Sequence, residues 1–138
     1  MADPQRILFI DADEESRNLA TDFLKEQGFG AKDGYFIVEL SNIETGFAAL
    51  ERDADFIAVV TAWKNPDQKG NYPKFDGLEL LRRIRGHRNE KIRSLPVIIH
   101  TVDPRAFSGM AEMNRCAMVS KMLTHSELAP TLRTLLDV

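Results

Sequence analysis

Five short apolar runs, rich in branched side chains, alternate along the chain with segments whose apolar positions recur at helical spacing. The runs occupy residues 7–10, 35–38, 56–60, 96–99 and 117–119. Uninterrupted apolar runs of this length are typical of strands that are buried on both faces of a parallel sheet. The alternation of strand and helix therefore predicts an α/β fold, in which helices cover both faces of a five-stranded parallel sheet.

The helical segments lie between these runs. Their apolar stripes occupy residues 19–24, 43–50, 78–84 and 128–135, with a weaker one at 106–115. Gly28 and Gly86 are the candidate stop residues of the first and third helices. Ser41 or Asn42 is the candidate N-cap of the second helix, and Thr124 or Ser126 is that of the last.

Composition limits the classes of protein to consider. A chain of 138 residues with 43% hydrophobic and 28% charged residues suits one globular domain, spanning 1–138. The net charge of -3 argues against nucleic acid or an anionic membrane as the main partner. The N-terminus lacks the features of a signal peptide, and no apolar run approaches a membrane span. The one cysteine, Cys116, permits no internal disulfide and is expected to be a buried small hydrophobe. We therefore expect a cytoplasmic protein with no nucleic acid and no membrane partner.

Polar side chains follow three of the predicted strands. Asp11 and Asp13 come after the first strand, Thr101 ends the fourth, and Lys121 follows the fifth. The carboxyl ends of parallel strands meet at one sheet edge, where ligands bind in this class of fold. Acid, hydroxyl and ammonium groups there would suit an anionic ligand held with a cation. Each residue also has a plainer explanation, since Asp13 could cap a helix, Thr101 could be an ordinary strand residue and Lys121 could be solvated.

Four stretches, in order along the chain, carry a resemblance to a known family. They are RILFID at 6–11, PKFDGLELLRRIR at 73–85, PVIIHT at 96–101 and VSK at 119–121. Together they resemble the receiver domain of bacterial response regulators, and the match covers nearly the whole chain. The resemblance implies a flavodoxin-like, doubly wound sheet with strand order 2-1-3-4-5.

The resemblance also implies a chemistry that the residues of this chain do not match. A typical receiver accepts a phosphoryl group from a histidine kinase on an aspartate that ends the third strand, and two acidic residues after the first strand help to hold Mg²⁺. Here Ala62 stands at the acceptor position and Ala12 replaces the second acidic residue, which leaves Asp11 and the neighbouring Asp13. Because the family's covalent chemistry requires a carboxylate nucleophile, we expect no conventional phosphorylation. Mg²⁺ is commonly held through carboxylates, so we expect no cofactor, with Asp11 and Asp13 as the candidates for a weak site.

The loop at residues 62–76 is also unusual. Segments 66–70 and 73–77 both resemble the family's loop, which makes this one about seven residues longer than typical. Trp63 and Tyr72 lie in it. They either form an interaction surface, as aromatic side chains often do, or cover the vacated acid pocket.

These features predict a phosphorylation-independent, receiver-like signalling module without enzymatic activity. Its remnant phosphorylation pocket would consist of Asp11, Asp13, Ala62, Thr101 and Lys121, with Lys121 paired to Asp11. The resemblance implies a protein partner in a two-component-type pathway: a histidine kinase, an output protein or a second copy as a homodimer. Because the chain ends soon after its last helix, output is expected to pass through a separate molecule. Two alternatives remain open, namely a phosphoacceptor of altered chemistry and a sensor of anions or small molecules that uses the vacated pocket.

Overall fold

The structure, a computed structural model, describes residues 3–67, 69–102 and 114–138. Its five strands are β1 (Gln5–Ile10), β2 (Tyr35–Leu40), β3 (Phe56–Thr61), β4 (Val97–Thr101) and β5 (Cys116–Ser120). Every neighbouring pair is parallel, in the order β2-β1-β3-β4-β5. The predicted fold class and strand order are confirmed.

Five helices are described: α1 (Glu14–Leu24), α2 (Ile43–Arg52), α3 (Gly77–Arg85), α4 (Glu90–Arg93) and α5 (Ala129–Leu136). Alternate side chains of each central strand enter two separate cores. Leu8 and Val59 pack in the core under α2, α3 and α4, whereas Phe9 and Val60 pack in the core under α1 and α5. This division explains the continuous apolar runs, because both faces of β1, β3 and β4 are covered.

Most of the predicted helix ends are correct. Of the two candidates before α2, it is Asn42 that accepts a hydrogen bond from the N–H of Thr45, at 2.8 Å. Gly86 follows α3 directly. Gly28 has φ +108°, in the left-handed region that favours glycine, where the turns at Lys25–Phe29 that continue α1 end.

The predicted cap of the last helix is wrong. The Thr124 hydroxyl donates to the carbonyl oxygen of Lys121, and the Ser126 hydroxyl donates to that of Leu123, so neither accepts from a helix N–H. The chain instead leaves β5 directly in helical turns at Lys121–Leu123 and Thr124–Leu128. Ser120 caps these turns by accepting from the N–H of Met122 at 3.2 Å, and α5 continues from them without a side-chain cap.

The structure differs from the sequence prediction in the region of two further helices. The helix expected at 106–115 lies largely outside the described residues, and the described Asn114 and Arg115 form a turn. The sequence pattern missed α4, because a helix of four residues has room for one apolar contact, made by the buried Ile92.

Cys116 is partly buried at the start of β5. Burial raises the pKa of its thiol to about 11, which fits the predicted role as an unreactive apolar side chain. No helix within residues 3–67, 69–102 and 114–138 has both the length and the apolar character needed to cross a bilayer.

Candidate functional site

The ends of β1 and β5 are joined by an ion pair. Asp11 directly follows β1, and its side-chain Oδ2 lies 2.8 Å from Nζ of Lys121, the residue after β5. The Asp11 side chain is 4% exposed and that of Lys121 is 23% exposed. Two strands, β3 and β4, separate β1 from β5 in the sheet, so the long lysine side chain spans the carboxyl edge. The predicted pairing of these two residues is confirmed.

Both carboxylate oxygens of Asp11 have partners. Oδ1 accepts from the backbone N–H of Asp13 at 3.0 Å, and Oδ2 lies 3.4 Å from the Ser16 hydroxyl in addition to Lys121. The carbonyl oxygen of Asp11 accepts from Nη1 of Arg17 at 2.6 Å. The start of α1 therefore fixes Asp11 from one side while Lys121 fixes it from the other.

Asp13 is a helix cap, which is the plainer of the two roles predicted for it. It caps α1, its Oδ1 accepting from the N–H of Ser16 at 3.1 Å, and it is exposed. Of the two acidic residues after β1, Asp11 is the one that pairs with Lys121.

Ala62 directly follows β3 and lines the same cavity as Lys121. Its N–H donates to the carbonyl oxygen of Ile10, the residue before Asp11, at 2.9 Å, and it is 3% exposed. Thr61, one residue earlier, is fully buried, and its hydroxyl donates to the carbonyl oxygen of Ala62 at 3.0 Å. Neither residue offers a carboxylate, and the Thr61 hydroxyl has no access to solvent.

The long loop is anchored where it begins and ends. The N–H of Gly77 donates to the carbonyl oxygen of Trp63 at 2.8 Å, and Lys64 Nζ lies 3.2 Å from Oδ2 of Asp76. A Cβ at position 77 would collide with the carbonyl oxygen of Ala62, so only glycine permits this close approach. The anchors place the start of the loop over the carboxyl end of β3.

Asn65 is a third anchor, which sequence reasoning missed. Its side-chain Oδ1 accepts from the N–H of Ala12 at 2.6 Å, and its Nδ2 donates to the carbonyl oxygen of Ser41 at 2.7 Å. One amide thus ties the loop to the residues that follow β1 and β2. The available signal was an Asn-Pro step, which favours a turn but does not name the long-range partners.

A cavity of about 320 Å³ opens beside Ala62. The strand ends contribute Ala62, Thr101 and Lys121 to its wall, and the loop contributes Trp63 and Tyr72. Trp63 is partly buried and packs against the core, whereas Tyr72 is 64% exposed. Trp63 therefore forms part of the inner wall, whereas Tyr72 keeps most of its surface in solvent, and the role of the two aromatic residues stays a prediction.

His100 also lines this cavity, and sequence reasoning gave it no role. It is 2% exposed, and its Nε2 lies 2.7 Å from the Thr124 hydroxyl. That hydroxyl has one proton, which it donates to the carbonyl oxygen of Lys121 at 2.9 Å, so it must accept from an Nε2–H. Nδ1 of His100 is then a bare acceptor, and it has no hydrogen-bond partner in the described part of the chain.

The electrostatic surroundings keep the His100 ring neutral. Burial lowers the pKa of His100 to about 4, and the positive charge of Lys121 acts in the same direction, against the opposing effect of Asp11. At neutral pH the ring is therefore an uncharged hydrogen-bonding group.

The comparisons with known proteins bear on the fold. No family model matches the chain, and no curated protein matches it significantly. Among solved structures, a receiver domain protein from Methanospirillum hungatei is similar at 20% identity, covering 97% of this chain and 94% of its own, with a TM-score of 0.71. A putative response regulator from Chloroflexus aurantiacus matches at 18% identity, 98% and 99% coverage and a TM-score of 0.73.

A two-component response regulator from Cytophaga hutchinsonii is similar to the same degree, with 17% identity, 99% and 100% coverage and a TM-score of 0.73. At these identities the similarity establishes the fold. The predicted resemblance to CheY-like receiver domains is confirmed at that level.

The Mg²⁺ that this resemblance implies does not fit the residues at the site. Within residues 3–67, 69–102 and 114–138 no group of three or more acidic, histidine or cysteine side chains could hold a metal ion. The candidate ligand Asp11 has its Oδ2 engaged by a lysine ammonium, and the other candidate, Asp13, caps α1. A cation at that oxygen would have to displace the ammonium and tolerate its charge nearby.

Proposed function

We propose that this protein is a receiver-like signalling module that works without phosphorylation and without Mg²⁺, through interaction with another protein in a two-component-type pathway. It has no enzymatic activity and acts in the cytoplasm. The observation that carries the proposal is the Lys121–Asp11 pair, with its carboxylate buried and its ammonium partly buried, at the sheet edge where Ala62 follows β3.

The ion pair supplies a physical reason for a fixed state. In a receiver the lysine after the fifth strand would contact the phosphoryl group. Here its partner is a carboxylate of the same chain, at 2.8 Å. Breaking a buried pair leaves an uncompensated charge, which costs roughly 3–5 kcal/mol in deep sites. The pocket therefore favours one arrangement of β1 and β5 in the absence of any phosphoryl group.

The proposed partner is a histidine kinase, an output protein or a second copy of the chain. Exposed apolar side chains beside the site support a protein partner. Val102, directly after β4, is 72% exposed, and Met122, the second residue after β5, is 86% exposed. Sedimentation velocity over a range of protein concentrations separates the third partner from the other two, because only self-association depends on the protein's own concentration.

The test of phosphorylation independence uses beryllofluoride, an anion that occupies the place of a phosphoryl group on an aspartate. Amide NMR spectra of the wild type should not change when beryllofluoride and Mg²⁺ are added. The variant Ala12→Asp with Ala62→Asp restores both missing carboxylates and is the matched comparison. Saturable shifts at Asp11 and Lys121 in the wild type would contradict the proposal.

A small-molecule sensor is the second candidate function. The observation that favours it is the cavity of about 320 Å³ at the acceptor position, which is within the size range of ligand pockets. This candidate is compatible with the first, because a ligand could replace the phosphoryl group as the input.

A further inference from the structure

β2 forms one edge of the sheet, and that edge is not protected against pairing. Proteins keep an exposed edge from pairing with another strand by means of very short strands, prolines, lysines or bulges. β2 spans six residues, Tyr35–Leu40, contains neither proline nor lysine, and pairs with β1 over its whole length without a shift in register. Its outer side is therefore open to one further strand.

Alternate residues of β2 direct their backbone groups away from β1. The carbonyl oxygens of Gly34 and Leu40 accept hydrogen bonds from N–H groups at the start of β1 and just after its end, so the even-numbered residues face that strand. The N–H and C=O groups of Ile37 and Glu39 therefore point to the outer side. Neither of these N–H groups has a backbone partner among the residues that the structure describes. They are the donors that a further strand would engage.

A large apolar side chain lies beside this edge. Phe36 is 55% exposed, and on the same face Val38 packs against the core under α2, α3 and α4. If a second copy of β2 runs antiparallel and crosses at Ile37, its Val38 lies opposite Phe36, and the two-fold symmetry repeats the contact. An aromatic side chain opposite a β-branched one stabilises a strand pair, and the side chains are closest where the two residues are not hydrogen-bonded to each other.

Charge and hydrogen bonding favour one register of this pairing. A crossing at Glu39, the one charged residue of β2, would bring two carboxylates face to face. A crossing at Tyr35 would meet an N–H that already donates to the carbonyl oxygen of Gly30 at 3.2 Å. A crossing at Ile37 keeps both hydrogen bonds at the centre and places each Glu39 opposite a tyrosine. The edge is therefore complementary to itself about Ile37.

We propose that two copies of this chain associate through β2, antiparallel about a two-fold axis at Ile37, so that their sheets become one continuous sheet. The two Ile37 residues exchange backbone hydrogen bonds, and the N–H of each Glu39 donates to the carbonyl oxygen of Tyr35 of the second copy. The inference rests on the proposed function, because it names a second copy as the protein partner. β5 lies at the opposite edge of the sheet, so the exposed residues after it stay accessible in the dimer.

Two measurements on the full chain test the pairing. Sedimentation velocity should show a dimer that forms reversibly as the protein concentration rises. Amide hydrogen exchange identifies the strand: the amides of Ile37 and Glu39 should exchange about tenfold more slowly when the dimer predominates. The amides of Phe36 and Val38 face β1 and should be protected already in the monomer.

Variants at exposed positions assign the association to β2 without threatening the fold. Phe36→Lys puts an ammonium on the edge and removes the pair with Val38, so it should weaken the dimer about tenfold. Leu19→Lys is the matched control, because Leu19 is equally exposed, at 55%, and lies on α1. Met122→Lys changes a residue that is 86% exposed beyond β5. Both controls should dimerise as the wild type does.

Three results would overturn the inference: a monomer at every concentration, a dimer that is as stable in Phe36→Lys as in the wild type, or a dimer in which the exchange of Ile37 and Glu39 is unchanged. Loss of the dimer in Leu19→Lys or Met122→Lys would assign the interface to another surface and would also overturn it. The proposed function fails on a different observation, namely a response of the wild type to beryllofluoride. The two failures are therefore distinguishable.

Discussion

The ammonium of Lys121 lies 2.8 Å from the buried carboxylate of Asp11, across the carboxyl edge of the sheet. This ion pair forms within the chain, without a ligand, so the first role of the Lys121 ammonium is structural. This relationship, together with an alanine at the end of β3, leads to the following predictions.

The Lys121–Asp11 pair should be strongly coupled. Lys121→Ala should lower the free energy of unfolding by about 2–3 kcal/mol, below the deepest cases because the lysine is 23% exposed. Asp11→Ala should also destabilise. The double variant should lose at least about 1 kcal/mol less than the sum, measured by urea denaturation.

The pair Lys91–Asp55 is a matched control for this cycle. Its N–O distance is also 2.8 Å, but its side chains are 57% and 79% exposed. The same cycle should give a far smaller coupling there, because solvent screens the charges. Equal couplings at the two sites, or simple additivity at Lys121 and Asp11, would mean that the pocket is open and hydrated.

Gly77, the first residue of α3, should be more sensitive to substitution than Gly86, the residue that follows this helix. A Cβ there would collide with the carbonyl oxygen of Ala62 and lie 3.0 Å from Cα of Trp63, and both are backbone atoms. Gly77→Ala should cost about 1–3 kcal/mol of unfolding free energy and change the fluorescence of Trp63. Gly86→Ala, whose new Cβ would lie 3.3 Å from the carbonyl oxygen of Arg82, should cost less and leave the fluorescence unchanged. Equal effects of the two changes would refute the role given to Gly77.

His100 should make the protein less stable in mild acid. Its pKa is lowered to about 4 in the folded state, chiefly by burial. The pKa of histidine in an unfolded chain is about 6.5. The unfolded state therefore binds more protons between these two values. The stabilisation is fully present above about pH 6.5 and is lost as the pH falls toward about 4, by roughly 3 kcal/mol in total.

The measurement is the urea midpoint between about pH 7.5 and pH 5, a range that lies above most carboxylate titrations. His100→Gln should flatten the pH dependence over this interval. His125→Gln, at an exposed position, should retain the slope of the wild type. A wild-type slope in His100→Gln would show that another group is responsible.

More of the fold than of the candidate site could be predicted from the sequence. Apolar periodicity was sufficient for the strands and for most of the helix ends, since both faces of the central strands are buried and Asn42 and Gly86 act locally. The resemblance supplied the strand order and the alignment of Ala62 and Lys121.

The missed features depend on contacts between residues that are distant in the sequence. Asn65 joins the loop to Ser41, 24 residues away, and His100 meets Thr124 at the same separation. Arg85 donates to the carbonyl oxygens of Leu95 and Asn114 and so ties α3 to the segments that precede β4 and β5. Such partners follow from the packing of the strands, and no local pattern encodes them.

The central claim is that the pocket accepts no phosphoryl group, and intact mass spectrometry tests it most directly. The full chain is incubated with acetyl phosphate and Mg²⁺, and the Ala12→Asp, Ala62→Asp variant is treated in parallel. We predict that the wild type keeps its mass, because no carboxylate lies at the end of β3 and Asp11 is engaged by Lys121. A mass increase of one phosphoryl group on the wild type, mapped to Asp11, Asp13 or Thr61, would contradict the account.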